Sequence, residues 1–168
     1  MDLSRELTID NFNGFVNKLI KSHPLEGSTY YGKAMKMIRQ HYFGSASKRN
    51  KPLSNDVPIY VMFVTDGATF DEQETIHHIQ SSSFEPLFWQ IMEIGKSNKG
   101  TKKRGFLRAF QSDFSFLEEL DNLSGRYIDN ADFFSAEDPQ SISDNELYDL
   151  LMQEYPEWVK AATAKGLI

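Results

Sequence analysis

The stretch Pro58-Ile59-Tyr60-Val61-Met62-Phe63-Val64-Thr65-Asp66-Gly67 decides the fold. Residues 59–64 are continuously apolar, which suits a parallel strand covered on both faces better than a half-exposed one. The strand then ends abruptly in a carboxylate and a glycine. In α/β sheets, ligands and cations are held at the carboxyl ends of strands. An aspartate there can take a hard cation, and the glycine permits the chain to turn sharply away. A second polar point lies upstream in Glu26-Gly27-Ser28-Thr29-Tyr30, where two hydroxyls directly precede an amphipathic pattern. Thr29 and Asp66 are therefore the candidate half of an oxygen-ligand metal site. The same residues have a plainer use: Asp66 can cap its own turn, and Ser28 or Thr29 the helix that follows.

Working outward from this strand, apolar residues at Ile9, Phe12, Phe15, Val16, Leu19 and Ile20 predict a helix over 7–20, capped by Asp10 or Asn11. Tyr31, Met35, Ile38 and Tyr42 predict a second helix over 30–42 with one buried stripe. Residues 44–57, rich in Gly, Pro, Asn and Ser without a consistent period, read as an exposed loop. A short helix over 71–79, with Thr69 or Asp71 as its cap, leads to a second apolar strand over 86–95. A helix over 114–123, a third strand over 127–134 that breaks early, and a last helical region over 143–154 complete the order. In that region Leu147, Leu150 and Leu151 face inward, and Trp158 packs after Pro156. Alternating strands and helices imply a mostly parallel α/β sheet flanked by helices, with right-handed crossovers.

A chain of 168 residues is expected to form one domain, 1–168. Its formal charge of −6 disfavours nucleic acid or an anionic membrane as a general partner. No cysteine is present, which excludes disulfides and thiolate metal sites. Residues 1–21 lack the sustained apolar stretch of a signal peptide, and no apolar run approaches the roughly 20 residues of a membrane span. A cytoplasmic protein is the expectation. The basic run 96–108 contradicts the acidic average, yet lacks a phosphate-binding loop pattern, and reads as a solvated insertion.

Adjacent His77 and His78 point about 100° apart on a helix and do not grip one ion together. Asp129, Asn130 and Asp132 read as a turn or side-chain network, the alternative being a cluster that holds a cation or orders the neighbouring loop. Glu118, Glu119 and Asp121 give no carboxylate pair across a cleft, and no nucleophile, base and orienter assemble into a catalytic site.

Taken in series, Gly27-Ser28-Thr29-Tyr30, Phe63-Val64-Thr65-Asp66-Gly67, the run 86–95, Phe116-Leu117-Glu118-Glu119-Leu120-Asp121, the run 125–134 and Glu146-Leu147-Tyr148-Asp149-Leu150-Leu151 resemble the von Willebrand factor A-type domain of bacterial tellurium-resistance and stress-response proteins. The resemblance implies a partial doubly wound, mostly parallel sheet and a metal-ion-dependent adhesion site with weakly bound Mg2+ or Ca2+. Thr29 falls on its second loop and Asp66 on its third. The family's first strand, which ends in an aspartate-serine-serine motif, has no counterpart ahead of residue 7; Asp2-Leu3-Ser4 is a superficial echo with Glu6 in place of the second serine. The expectation is thus a domain lacking its N-terminal strand, with an incomplete metal site. It is a non-enzymatic interaction module that requires a protein partner or self-associates along the open edge of 59–64. The competing reading is a metal-dependent hydrolase or phosphoryl-transfer protein.

Overall fold

The computed structural model describes residues 28–65, 68–94, 112–136 and 141–168, with backbone only for 112–115. Asp66, Gly67, Gly95, the basic run and the pattern over 7–20 lie outside the described residues. In chain order the elements are α1 (Tyr31–Phe43), β1 (Ile59–Thr65), α2 (Glu72–Ser82), β2 (Leu87–Ile94), α3 (Ser112–Asp121), β3 (Ala131–Ala136), α4 (Asp144–Leu151) and α5 (Tyr155–Ala164). The three strands form a sheet in the order β1-β2-β3. Both pairings are parallel, with Ile59 opposite Leu87 and Trp89 opposite Ala131. A mostly parallel sheet flanked by helices is therefore observed as the sequence implies.

Alternation along β2 sends its side chains to two separate cores. Leu87, Trp89 and Ile91 meet Tyr31, Met35, Ile79, Phe116, Leu117 and Leu120 from α1, α2 and α3 on one face. Phe88 on the other face meets Trp158, Ala162 and Leu167, with Tyr60 and Tyr155 packed around them. Burial on both faces belongs to β2 rather than to β1. Among the described residues β1 is an edge strand, and Met62 and Val64 remain 44% and 51% exposed. The uniform apolar character of 59–64 does not reveal this, because hydropathy cannot say which strand is central.

Three other expectations are corrected. The buried stripe of α1 runs Tyr31, Met35, Arg39, while Tyr42 is exposed. The spacing of four from Met35 carries an arginine inward because a buried carboxylate waits for it. β3 begins at Ala131 and not at 127. Asn130 sits just before it and donates its side-chain N–H to the Ile79 carbonyl and the Ser82 hydroxyl. The last helical region is two helices: Ser143 and Glu146 form a reciprocal capping box on α4. Leu147, Leu150 and Leu151 are only half-buried, while Trp158 of α5 is buried.

Arg39 fastens the 44–57 loop. Its guanidinium is fully buried and grips Glu85 through Nε at 2.8 Å and Nη2 at 2.9 Å. It also donates to Nδ1 of His78 at 2.8 Å and to the carbonyls of Ala46 and Ser47. Arg49 from the same loop pairs with Glu85 as well. Two guanidinium groups thus share one carboxylate beside His78. Burial, then Arg39, His77 and Lys36, push His78 down to about 4, against the opposing pull of Glu85. The loop is exposed along most of its length, as its composition implies, yet pinned, and further bonds join Leu53 to Phe84 and Asn55 to Leu167.

Candidate functional site

The sheet's carboxyl end is built around the first turn of α1. A helix start leaves backbone N–H groups without intrahelical partners. The N-cap position of α1 is Tyr30, which supplies no side-chain cap. The acceptors come from the segment after β1: Thr69 Oγ1 accepts from the Tyr31 N–H at 3.0 Å, and Asp71 Oδ2 from the Lys33 N–H at 3.0 Å. Asp71 occupies the N-cap position of α2 but makes no side-chain cap there. Burial pulls the Asp71 carboxyl upward. Bonds from Thr69, the amides of Lys33 and Gly32, and Thr75 together outweigh it and hold the acid below its ordinary value. An anion at this helix start is also favoured by the helix dipole.

Thr29 is exposed, and its carbonyl accepts from the Phe70 N–H at 3.0 Å. The Tyr31 and Thr65 hydroxyls are 2.7 Å apart, which places the start of α1 against the end of β1. Gly32 makes this closeness possible, since a Cβ there would stand 2.7 Å from the Thr75 nitrogen. Asp66 lies outside the described residues. Tyr30 and Phe70, 44% and 74% exposed, place their ring centroids 6.1 Å apart beside Thr29. An open cleft of about 570 Å³ runs along residues 69–74.

A second polar group lies elsewhere. Asp121 at the end of α3, Asp132 on β3 and Glu154 just before α5 bring carboxylate oxygens within 4.8 Å of one another. Asp132 is buried and accepts from Gln90 Nε2 at 2.9 Å; Gln90 in turn accepts from the Tyr60 hydroxyl. Burial, then Asp132, Asp121 and Asp129, push Glu154 up to about 7, with Arg126 opposing. Burial, Asp132 and Asp129 raise Asp121 as well, and burial with Asp132 and Tyr155 lifts Tyr60 to about 12. Such spacing lets one divalent cation or one proton relieve the repulsion. Asp132 was legible as part of a polar network, but Glu154 carries no local sequence signal, because its two partners arrive from distant elements. Arg39 and Glu85 were missed too, although an arginine four residues after Met35 on the apolar stripe was a usable sign.

Among the described residues no helix is long and apolar enough to cross a membrane. No solved structure matches the chain. An uncharacterised protein of Bacillus subtilis, YcbR, is 39% identical over 111 residues, 66% of this chain. The chain spans 39% of the length of that relative. Residues 2–168 match the TerF-like von Willebrand factor A family, described as the domain found in the TerF C terminus. The strand end, the helix start it abuts and the parallel sheet that holds them belong to one known type, and this chain is a member of the TerF-like von Willebrand factor A family.

Proposed function

We propose that this chain is a non-enzymatic protein-interaction domain of the tellurium-resistance or stress-response type, working in the cytoplasm, whose partner meets the sheet end beside Thr29 and Asp66. The observation that carries this reading is the exposed Tyr30–Phe70 pair next to Thr29. Aromatic rings left in solvent at the rim of a cleft are what protein contacts bury. Mg2+ or Ca2+ is held there weakly, by the Thr29 hydroxyl and the Asp66 carboxylate. These hard oxygens suit either ion but are too few for a tight site. Asp71 is a poor supplement, since its oxygens already accept from Lys33 and Thr69.

Affinity purification from the source cells tests the partner, using wild type, Thr29→Ala and Phe70→Ser. Proteins retained by wild type and lost with both variants support the reading; identical sets from all three refute it. Titration calorimetry should give a dissociation constant for Mg2+ or Ca2+ above about 1 mM. Micromolar affinity lost in Asp66→Ala, together with turnover of phosphoester substrates, would replace this reading with the metal-dependent hydrolase.

A further inference from the structure

We propose that β1 pairs antiparallel with β1 of a second copy of this chain, about a two-fold axis at Met62. The phase of the backbone fixes which groups the edge offers. In a parallel strand each residue sends its N–H and C=O to the same side, and successive residues alternate sides. The Ile59 N–H donates to the Pro86 carbonyl at 2.8 Å, so the backbone groups of Ile59, Val61 and Phe63 face β2. Those of Tyr60, Met62 and Val64 therefore turn away from β2, and among the described residues no other strand takes them. Pro58 is next in that outward series and has no N–H, so the row of donors ends at Tyr60.

Edge strands are ordinarily guarded by a charge, an internal proline or a bulge. Residues 57–65 carry no charge, β1 itself holds no proline, and its pairing with β2 is unbroken from Ile59 to Thr65. Alternation puts the side chains of Tyr60, Met62 and Val64 on one face of the sheet. Tyr60 packs there on Tyr155 and Phe88, with centroids 4.9 and 6.0 Å away, while Met62 and Val64 remain 44% and 51% exposed. The occupant that answers both the backbone and the side chains is the strand itself. Turned antiparallel about Met62, it sets Met62 opposite Met62 of the second copy and Val64 opposite Tyr60, all at hydrogen-bonded positions of the ladder. Each outward N–H then meets an outward C=O, and each exposed side chain gains an apolar cross-strand neighbour. That is the self-complementarity a two-fold interface requires. One strand pair buries less than the roughly 1,600 Å² of a standard interface, so the dimer should be in exchange, with a dissociation constant on the order of 0.1 mM.

The full chain without substitution gives the first test. Sedimentation velocity from micromolar to millimolar protein should pass from monomer to dimer. Amide exchange at Tyr60, Met62 and Val64 should slow over the same range, while Val61 and Phe63 stay protected throughout. A monomer at millimolar strength, or outward amides protected at every concentration, overturns the proposal. Cross-linking then reads the register, because the chain has no cysteine of its own. Met62→Cys should oxidise with diamide to a covalent dimer. Val64→Cys should not, since in this register the two copies of residue 64 lie about 14 Å apart along the ladder, beyond the reach of a disulfide. Equal yields from the two overturn it. Met62→Lys sets like charges face to face and should weaken the dimer at least about tenfold, with the circular dichroism of the monomer unchanged because position 62 is exposed. A dimer of unaltered strength would place the interface elsewhere and also overturn the proposal.

Discussion

Two polar clusters on this sheet resolve opposite imbalances of charge. Around Glu85 there are two guanidinium groups to one carboxylate, and the nearby histidine gives up its proton, falling to about 4. Around Asp132 there are three carboxylates, with Arg126 as the opposing cation, and Glu154 keeps its proton up to about 7. Neither behaviour follows from the net charge of −6. Burial is the largest cause of both shifts, and the charges within a few ångströms add to it. The first cluster carries an excess of positive charge, whereas the second carries an excess of negative charge.

Removing a carboxylate from each cluster should break the symmetry most visibly. Glu85→Ala leaves Arg39 buried without its counter-ion, and denaturant unfolding should show a loss of about 3–5 kcal/mol. Asp132→Asn keeps an acceptor for Gln90 and removes a like charge, so stability should stay within about 1 kcal/mol of wild type or rise. Equal losses from the two would mean that burial alone, and not charge balance, governs both sites.

The pH profile sharpens the comparison. Between pH 4.5 and 7 the folded chain holds the Glu154 proton and the unfolded chain does not, so this group's contribution falls as pH rises. Between pH 4 and 6.5 the unfolded chain takes up the His78 proton and the folded chain does not, so stability falls as pH drops. Where the windows overlap the two slopes oppose, and wild type should vary little. Glu154→Gln removes one slope, so its stability should climb from pH 4.5 to 6.5 relative to wild type by about 1 kcal/mol after allowance for solvent screening. Parallel profiles for the two proteins would show that Glu154 titrates normally.

The smallest effect is expected where burial is absent. Lys160 and Glu157 stand 2.6 Å apart with side chains 71% and 75% exposed. Lys160→Met should shift the thermal midpoint by no more than corresponds to about 0.5 kcal/mol. A larger change would make short distance, and not desolvation, the variable that separates the two buried clusters from the surface.

Most of the fold was legible because it depends on local pattern. The parallel pairing of 59–64 with 86–94, the helix after Ser28 and the Ser143 cap follow from apolar runs, helical spacing and a serine three residues before a glutamate. The exposure of Met62 and Val64 was not legible, since it depends on what lies beyond the strand edge. Of the candidate site, Thr29 lies exposed at the start of α1, and Asp71 holds the N-cap position of α2 as its place in the sequence suggests, but the side chains of Thr69 and Asp71 accept from the first turn of α1. A capping preference names a residue type but not the helix it will serve, once the chain doubles back.

Gly32 sets the spacing gauge for this end of the molecule. A Cβ at position 32 would meet the Thr75 nitrogen at 2.7 Å and the Glu74 carbonyl carbon and Cβ at 2.8 Å, so a single methyl group there would wedge the helices apart. The amides of Gly32 and Lys33 would then be drawn off the Asp71 carboxylate, and two turns further along the same rod Arg39 would be tugged away from His78 and Glu85. The Tyr30–Phe70 rim and the buried ion pair thus share one mechanical reference point.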